Sequence, residues 1–305
     1  MRLYSFVSGK TRALSRPSST FTPKGVAYSD SLSLSKTIVS KYVFFTRSLE
    51  NLKQSWVIFW LEIQDVIRSI MGFDPSHDRF AANILSALLY DALLEDRYLG
   101  LDAICALLKR EVCVAGGSAE LKRQLKHVRD CSTVIAVDGA SKLLLEYGIK
   151  PSIVISDLDG SWFAIERASE HGVVVVHGHG DNMFALREVV PRLENVCGTV
   201  QVLPPPLTFN VGGFTDGDRA VSMILFCKLF YGSTVKEVYL YGMNFHGLVG
   251  EWSKPWLKTA IKPWKQKLMK LKIADKIVAS ILKPIAELLG IRIVDGMKRE
   301  YCADE

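Results

Sequence analysis

Acidic residues recur at one kind of place in this 305-residue chain: just after short apolar runs, beside glycine. They are Asp138 in Asp138-Gly139-Ala140, Asp157 and Asp159 in Asp157-Leu158-Asp159-Gly160, Asp181 in His177-Gly178-His179-Gly180-Asp181-Asn182, and Asp216 and Asp218 in Thr215-Asp216-Gly217-Asp218. A single Asp ahead of a helix is normally an N-cap. Several on neighbouring loops are another matter, because clustered anions repel unless a cation lies between them. In Asp157-x-Asp159 one intervening residue lets both carboxylates face one cation. Hard oxygen donors beside Gly and Asn suit Mg²⁺, which keeps waters and takes phosphate oxygens as further ligands. The chemistry this predicts is that of a metal-bound polyphosphate.

Gly116-Gly117-Ser118 adds a glycine turn whose free N–H groups suit an anion, although it matches neither G-x-G-x-x-G nor a Walker loop, and a purely structural turn explains it equally well. His177-x-His179-x-Asp181 has the outline of a two-metal hydrolase motif. Its final His is replaced by Asn182, and downstream only His246 remains, short of the roughly four or five ligands two metals need. His177 and His179 therefore read as residues that orient a loop or bond ligand oxygens. The lysines 254, 258, 262, 265, 267, 270, 272 and 276 read mainly as a solvated helix face, with one or two of the earlier ones able to meet a triphosphate.

Positioning these groups requires strands that end where the loops begin. Val112–Ala115, Val134–Val137, Ile153–Ser156 and Val173–Val176 are apolar on both faces, and each runs into a loop and then a helical stretch. That alternation predicts a buried parallel sheet whose right-handed crossovers gather the loops at one carboxyl edge. Further strands are expected at Thr199–Leu203 and Val235–Tyr241, with a helix from Thr215 to about Tyr231 between them. Residues 52–108 read as a helical preface, one helix being capped at Asp78, and the Lys-rich region reads as helical with breaks at Pro263 and Pro284. The expected organisation is a leader over 1–50, a helical preface over 51–110 and an α/β catalytic domain over 111–305.

The net charge of +6 divides unevenly. Residues 1–49 carry +7 with eleven serines, residues 50–253 carry −7, and residues 254–283 carry +8. The leader lacks the apolar core of a secretory signal and reads as a disordered tail or an extension from a misplaced start, ahead of a targeting peptide. An acidic body argues against nucleic acid. Mean hydropathy is +0.16, and the most apolar candidate, Trp56–Ile67, is interrupted by Glu62 and Asp65, so no membrane span is expected. Six scattered cysteines form no C-x-x-C pair, from which reduced thiols and a cytoplasmic setting are expected.

Taken in order, Asp138-Gly139-Ala140, Ile155-Ser156-Asp157-Leu158-Asp159-Gly160, His177-Gly178-His179-Gly180-Asp181-Asn182 and Gly212-Gly213-Phe214-Thr215-Asp216-Gly217-Asp218-Arg219-Ala220 resemble the archaeal 6-hydroxymethyl-7,8-dihydropterin pyrophosphokinases (MptE-like) over about residues 52–295. Gly242-Met243-Asn244-Phe245 and the late Lys-rich helix also fit. The first loop departs from the family's G-x-G-P-S-L, and Asn244 stands where Asp is common. The resemblance implies a three-layer Rossmann-like α/β fold, with helices on both faces of a mostly parallel sheet. It also implies Mg²⁺-dependent transfer of diphosphate from ATP, as co-substrate, to the reduced hydroxymethylpterin, releasing AMP, in tetrahydromethanopterin- or folate-type biosynthesis. Carried over, Asp157, Asp159 and Asp181 hold Mg²⁺, and His179 and Asn182 approach phosphate or acceptor. Asp138 and Asp216 hold ribose or the pterin's amino-pyrimidine edge, with Gly139, Thr215 and Asp218 completing the ligand-binding set. Oligomeric state is left open, a homo-oligomer included. Similarity also extends to thiamine pyrophosphokinases, whose second all-β domain the helical C-terminal part disfavours. A nucleotide-sugar transferase of the flagellin-glycosylation type and a nucleotide-binding regulator are the other readings.

Overall fold

The structure is a computed structural model that describes residues 48–296; the leader, but for its last residues, lies outside the described residues. Eight strands form one sheet in the order β6-β5-β4-β3-β2-β1-β7-β8. They are β1 (Glu111–Ala115), β2 (Thr133–Val137), β3 (Ile153–Ser156), β4 (Val173–Gly178), β5 (Val196–Val200), β6 (Thr208–Phe209), β7 (Glu237–Tyr241) and β8 (Arg292–Asp295). Every pairing is parallel. The α/β expectation, a mostly parallel sheet with helices on both faces, is met.

Strand residues alternate between two cores. Val112, Val114, Ile135, Ile153, Ile155, Val173 and Val175 join one, while Cys113, Ala115, Val134, Ala136, Val154, Val174 and Val176 join the other. Period-two alternation with both faces covered explains why these strands read as continuous apolar runs.

The N-terminal helices are part of these two layers. Helix α1 (Leu49–Met71) is capped by Ser48, whose side chain accepts the Asn51 N–H, and ends at Gly72 with φ 71°. It buries Leu52, Trp56, Phe59, Trp60, Ile63 and Ile67, one face at helical spacing. Helix α2 (Pro75–Leu94) lies on the opposite face, setting Leu85 and Leu89 beside Gly198 of β5. Its N-cap is Asp74, with Pro75 in the first turn, so the expected cap at Asp78 is corrected: Asp78 points inward, buried. Helix α3 is Leu101–Leu107.

After β1 come α4 (Leu121–Arg129), α5 (Ala140–Glu146), α6 (Trp162–Ser169) and α7 (Met183–Val189), one behind each of the first four strands. Helix α8 (Asp216–Tyr231) is buried nearly all round, between the sheet and α1, α3 and the C-terminal helices. The expected strand at Thr199–Leu203 lies earlier, at Val196–Val200, where it pairs with β4 from Val174 to that strand's end at Gly178; residues 201–203 are bends leading to Pro204-Pro205-Pro206.

The Lys-rich region is helical only in part. Lys254 to Lys262 lie on loops, and helix α9 (Lys265–Ile277) continues through a π turn, Val278–Leu282, into α10 (Lys283–Leu288). Pro284 therefore sits at the start of α10, where its missing N–H costs little, and the expected break is absorbed by the π turn. The edge strand β8 follows, an element that sequence periodicity did not reveal.

The expectation of reduced thiols is also corrected. Cys105 of α3 is joined to Cys227 of α8, with Cα atoms 5.2 Å apart, and Cys113 of β1 is joined to Cys131. Cys197 is free and buried. Among the described residues no helix is long and apolar enough to cross a membrane.

Candidate functional site

Strand order reverses at β1, which has β2 on one side and β7 on the other. In open α/β sheets the ligand crevice lies outside the carboxyl ends at such a reversal. A cavity of about 460 Å³ opens there, large enough for a nucleotide-sized ligand. Its walls come from the β1 loop (Gly116 to Ser118), the β2 loop (Asp138, Gly139), the β3 loop (Asp157, Asp159), the β4 loop (His179 to Asp181) and the turn before α8 (Phe214 to Gly217). The helical N-terminal region contributes Phe73, Asp74, His77 and Asp78, and the C-terminal region contributes Lys254, Trp264, Lys267 and Lys270.

At its floor, oxygens of Asp138, Asp157 and Asp159 lie within 4.8 Å of one another. Adjacency of β2 and β3 brings them together, since Asp138 immediately follows β2 and Asp157 immediately follows β3. Asp138 has φ 44°, a conformation that Asp tolerates better than most residues. Its carboxylate accepts the Ser156 hydroxyl at 2.7 Å. Gly160 has no Cβ because one would stand 2.6 Å from Asp138 Oδ1.

The electrostatics of this floor are strained in the way a cation site requires. Burial, followed by the negative charges of Asp159, Asp157 and Asp216, holds the Asp138 carboxyl well above the ordinary range. Burial and the charges of Asp157 and Asp159 do the same to Asp216. Asp157 goes the other way: burial opposes its ionisation, but the hydrogen bond and charge of His179, with Lys254 and Asp159, more than offset that and hold it low. The three converging carboxylates are hard donors of the right number for a divalent ion that keeps waters.

His179 Nε2 is 3.4 Å from Asp157 Oδ2. Asn182 is spent on holding loops: its Nδ2 donates to the carbonyls of Asp157 and His177 at 2.7 Å each, and its Oδ1 accepts the His179 N–H at 3.1 Å. Asp218 is fully buried in a capping box, accepting the N–H groups of Phe214 and Thr215 and the Thr215 hydroxyl. It shapes the turn that presents Thr215 and Asp216 without lining the cavity itself. Asp181 lines the cavity but lies outside the group of three converging carboxylates. Gly139 lines it as well, and a Cβ there would stand 1.7 Å from the Trp252 carbonyl oxygen.

Beneath the floor, Arg219 is wholly buried, donating to the Gly212 carbonyl at 2.9 Å and standing 3.1 Å from His177 Nε2. Since His177 Nδ1 faces the Thr199 carbonyl at 3.2 Å, its proton is assigned there, which leaves Nε2 to accept from Arg219. Burial, then the charges of Arg219 and His179, keep His177 neutral and push its pKa well below the ordinary value.

Reading the residues by spacing did not reveal Asp78, Gln201 or Arg68. Asp78 accepts from Arg68, from Gln201 and from the Gly180 N–H. One signal was available: Asp74-Pro75 already supplies a cap, which frees an Asp four residues on for another task.

A family model described as 6-hydroxymethylpterin diphosphokinase MptE-like matches residues 99–247. A 6-hydroxymethyl-7,8-dihydropterin pyrophosphokinase of Pyrococcus furiosus is 40% identical over 221 residues, 72% of this chain and 91% of that protein. Proteins of the same name from Methanothermobacter thermautotrophicus and Methanocaldococcus jannaschii are 38% and 33% identical, over 72% and 74% of this chain and 92% and 93% of their own. At such identity along nearly the whole of each relative, the chain belongs to the 6-hydroxymethyl-7,8-dihydropterin pyrophosphokinase family.

Proposed function

We propose that the protein transfers the terminal diphosphate of ATP to the primary hydroxyl of 6-hydroxymethyl-7,8-dihydropterin, with Mg²⁺, in tetrahydromethanopterin- or folate-type pterin biosynthesis. The observation that carries the reading is the convergence of Asp138, Asp157 and Asp159 at the mouth of the sheet, in a chain whose relatives bear that name. The acceptor oxygen bonds to the β-phosphorus as the bridge to the α-phosphate breaks, and AMP leaves with that electron pair.

Asp138, Asp157 and Asp159 would hold Mg²⁺, which when bound neutralises charge on the phosphate oxygens; Asp181 remains the rim carboxylate of the same cavity. His179 steadies Asp157 in its ionised form. Phe73, Phe214, Met243, Phe245 and Trp264 give the cavity aromatic and apolar lining suited to a fused-ring acceptor. Asp216 would accept from an amino-pyrimidine edge, and Thr215 and Gly139, which line the same cavity, would contact the nucleotide. Positioning and charge neutralisation account for most of the barrier lowering in phosphoryl chemistry.

The test is incubation with ATP, Mg²⁺ and the reduced hydroxymethylpterin, scoring AMP and a pterin diphosphate, with thiamine as an alternative acceptor. Asp157→Asn is expected to lose at least about 100-fold in turnover with little change in folding. AMP release with thiamine alone, or near-normal turnover of the variant, overturns the reading.

A further inference from the structure

Lys254 is the only lysine among the described residues that is as little as 8% exposed. Its ammonium pairs with the Asp159 carboxylate, one of the three that converge on the floor. The segment carrying it is pinned. Ser253 donates its hydroxyl to the Gly117 carbonyl at 2.8 Å, Val249 bridges Ser118 and Ile261, and the Trp252 carbonyl packs directly over Gly139. Gly250 and Gly139 lack the Cβ atoms that would break these contacts, which would stand 2.4 Å and 1.7 Å from the Gly117 and Trp252 carbonyl oxygens.

A buried ammonium is tolerated only when paired. Asp159 pairs with it here, yet Asp159 also belongs to the carboxylate set that suits a divalent cation. When a cation takes that oxygen, Lys254 is left in a cleft its backbone cannot leave, and it repels the incoming charge. A ligand that brings both the cation and new negative charge resolves the conflict, and a polyphosphate does so. Lys267 and Lys270 line the same wall. Burial, then the neighbouring charge of Lys254, pushes the Lys267 ammonium below the ordinary lysine range, with the charges of Asp159 and Asp157 opposing the shift.

We infer that Lys254 is a phosphate-binding residue that exchanges Asp159 for the transferable diphosphate of Mg·ATP. This rests on the reading above and goes beyond it by assigning a contact outside the span of the family model, which ends at residue 247. Lys254 thereby couples nucleotide entry to cation entry: neither charge is welcome in the cleft without the other.

The experiment is calorimetric titration of the unaltered protein and of Lys254→Met with Mg²⁺ and α,β-methylene-ATP, whose α–β bridge cannot be cleaved, and separately with AMP. Loss of a charge-assisted contact to the diphosphate is expected to weaken the analogue at least about tenfold, leaving AMP unchanged within about twofold. Lys254→Arg is expected to recover part of the loss, and Lys258→Met, an exposed neighbour, to show none. Equal affinity of Lys254→Met and the unaltered protein for the analogue, or equal losses for analogue and AMP, overturns the assignment while leaving the proposed reaction standing. Failure of the unaltered protein to bind the analogue overturns both.

Discussion

Asp78 and Gly180 are 102 residues apart in the chain, and Asp78 Oδ1 accepts the Gly180 N–H at 3.0 Å. The second carboxylate oxygen takes Arg68 at 3.1 Å and Gln201 at 2.8 Å. Helix α2 thus braces the loop that carries His179 and Asp181, and α1 braces α2 through Arg68. Gly180 fits this arrangement because a Cβ would lie 2.5 Å from His77 Cβ.

Removing that carboxylate should therefore damage both stability and site. Asp78→Ala leaves a buried Arg68 with only the exposed Asp65 as carboxylate partner, and a loss of about 2–4 kcal/mol is expected. Urea unfolding of the variant checks it. A midpoint unchanged from the unaltered protein would show that the brace contributes nothing.

A pH dependence follows from His177. Burial, then Arg219 and His179, lower its folded pKa well below 6.5, so the unfolded chain takes a proton the folded one refuses. That contribution is fully present above about pH 6.5 and is lost as pH falls below it, at up to about 1.4 kcal/mol per pH unit. Between pH 7.5 and 5.5 the unaltered protein should therefore lose more stability than His177→Asn. Parallel pH profiles would sink the account.

Gly139 has φ −60°, which any residue adopts, so its requirement is one of space. A Cβ would stand 1.7 Å from the Trp252 carbonyl oxygen, and Gly139→Ala must displace the segment that holds Lys254. A cost of about 1–3 kcal/mol is expected, together with weaker nucleotide binding; thermal melts and calorimetry would read the two effects. Full retention of both would mean that the segment moves freely.

The Cys105–Cys227 bond closes a sequence separation of 122 residues and ties α3 to α8. Chain-entropy reasoning expects reduction, or the paired alanine variant, to cost about 2–4 kcal/mol. Guanidinium unfolding with and without reductant measures it, and coincident curves would show no contribution.

Much of the fold was legible in the sequence because the physics behind it is local. Apolar runs at Val112, Val134, Ile153 and Val173, each followed by a glycine- or acid-bearing turn, specify strand, loop and helix before any tertiary contact exists. Residues whose roles are set by distant partners were hidden. Asp78 looked like a cap because capping is the commonest use of an Asp at a helix start. Its true partners, Arg68, Gln201 and Gly180, lie on three separate elements. The edge strand β8 carries only four residues, Arg292–Asp295, too few for periodicity to reveal.

The sequence by itself determined that acids would stand at the carboxyl ends of parallel strands, the pattern from which chemistry on a cation and a polyphosphate is proposed. Only the tertiary structure decided which acids meet. Asp138 and Asp157 each begin the loop of adjacent strands and converge with Asp159, whereas Asp181 lies three residues beyond the end of β4 and Asp218 turns back to cap its own helix. It also brought Lys254 to Asp159, across 95 residues. Spacing along the chain sets what each loop carries; strand order, and how far each side chain stands from its strand end, set which loads share one cleft.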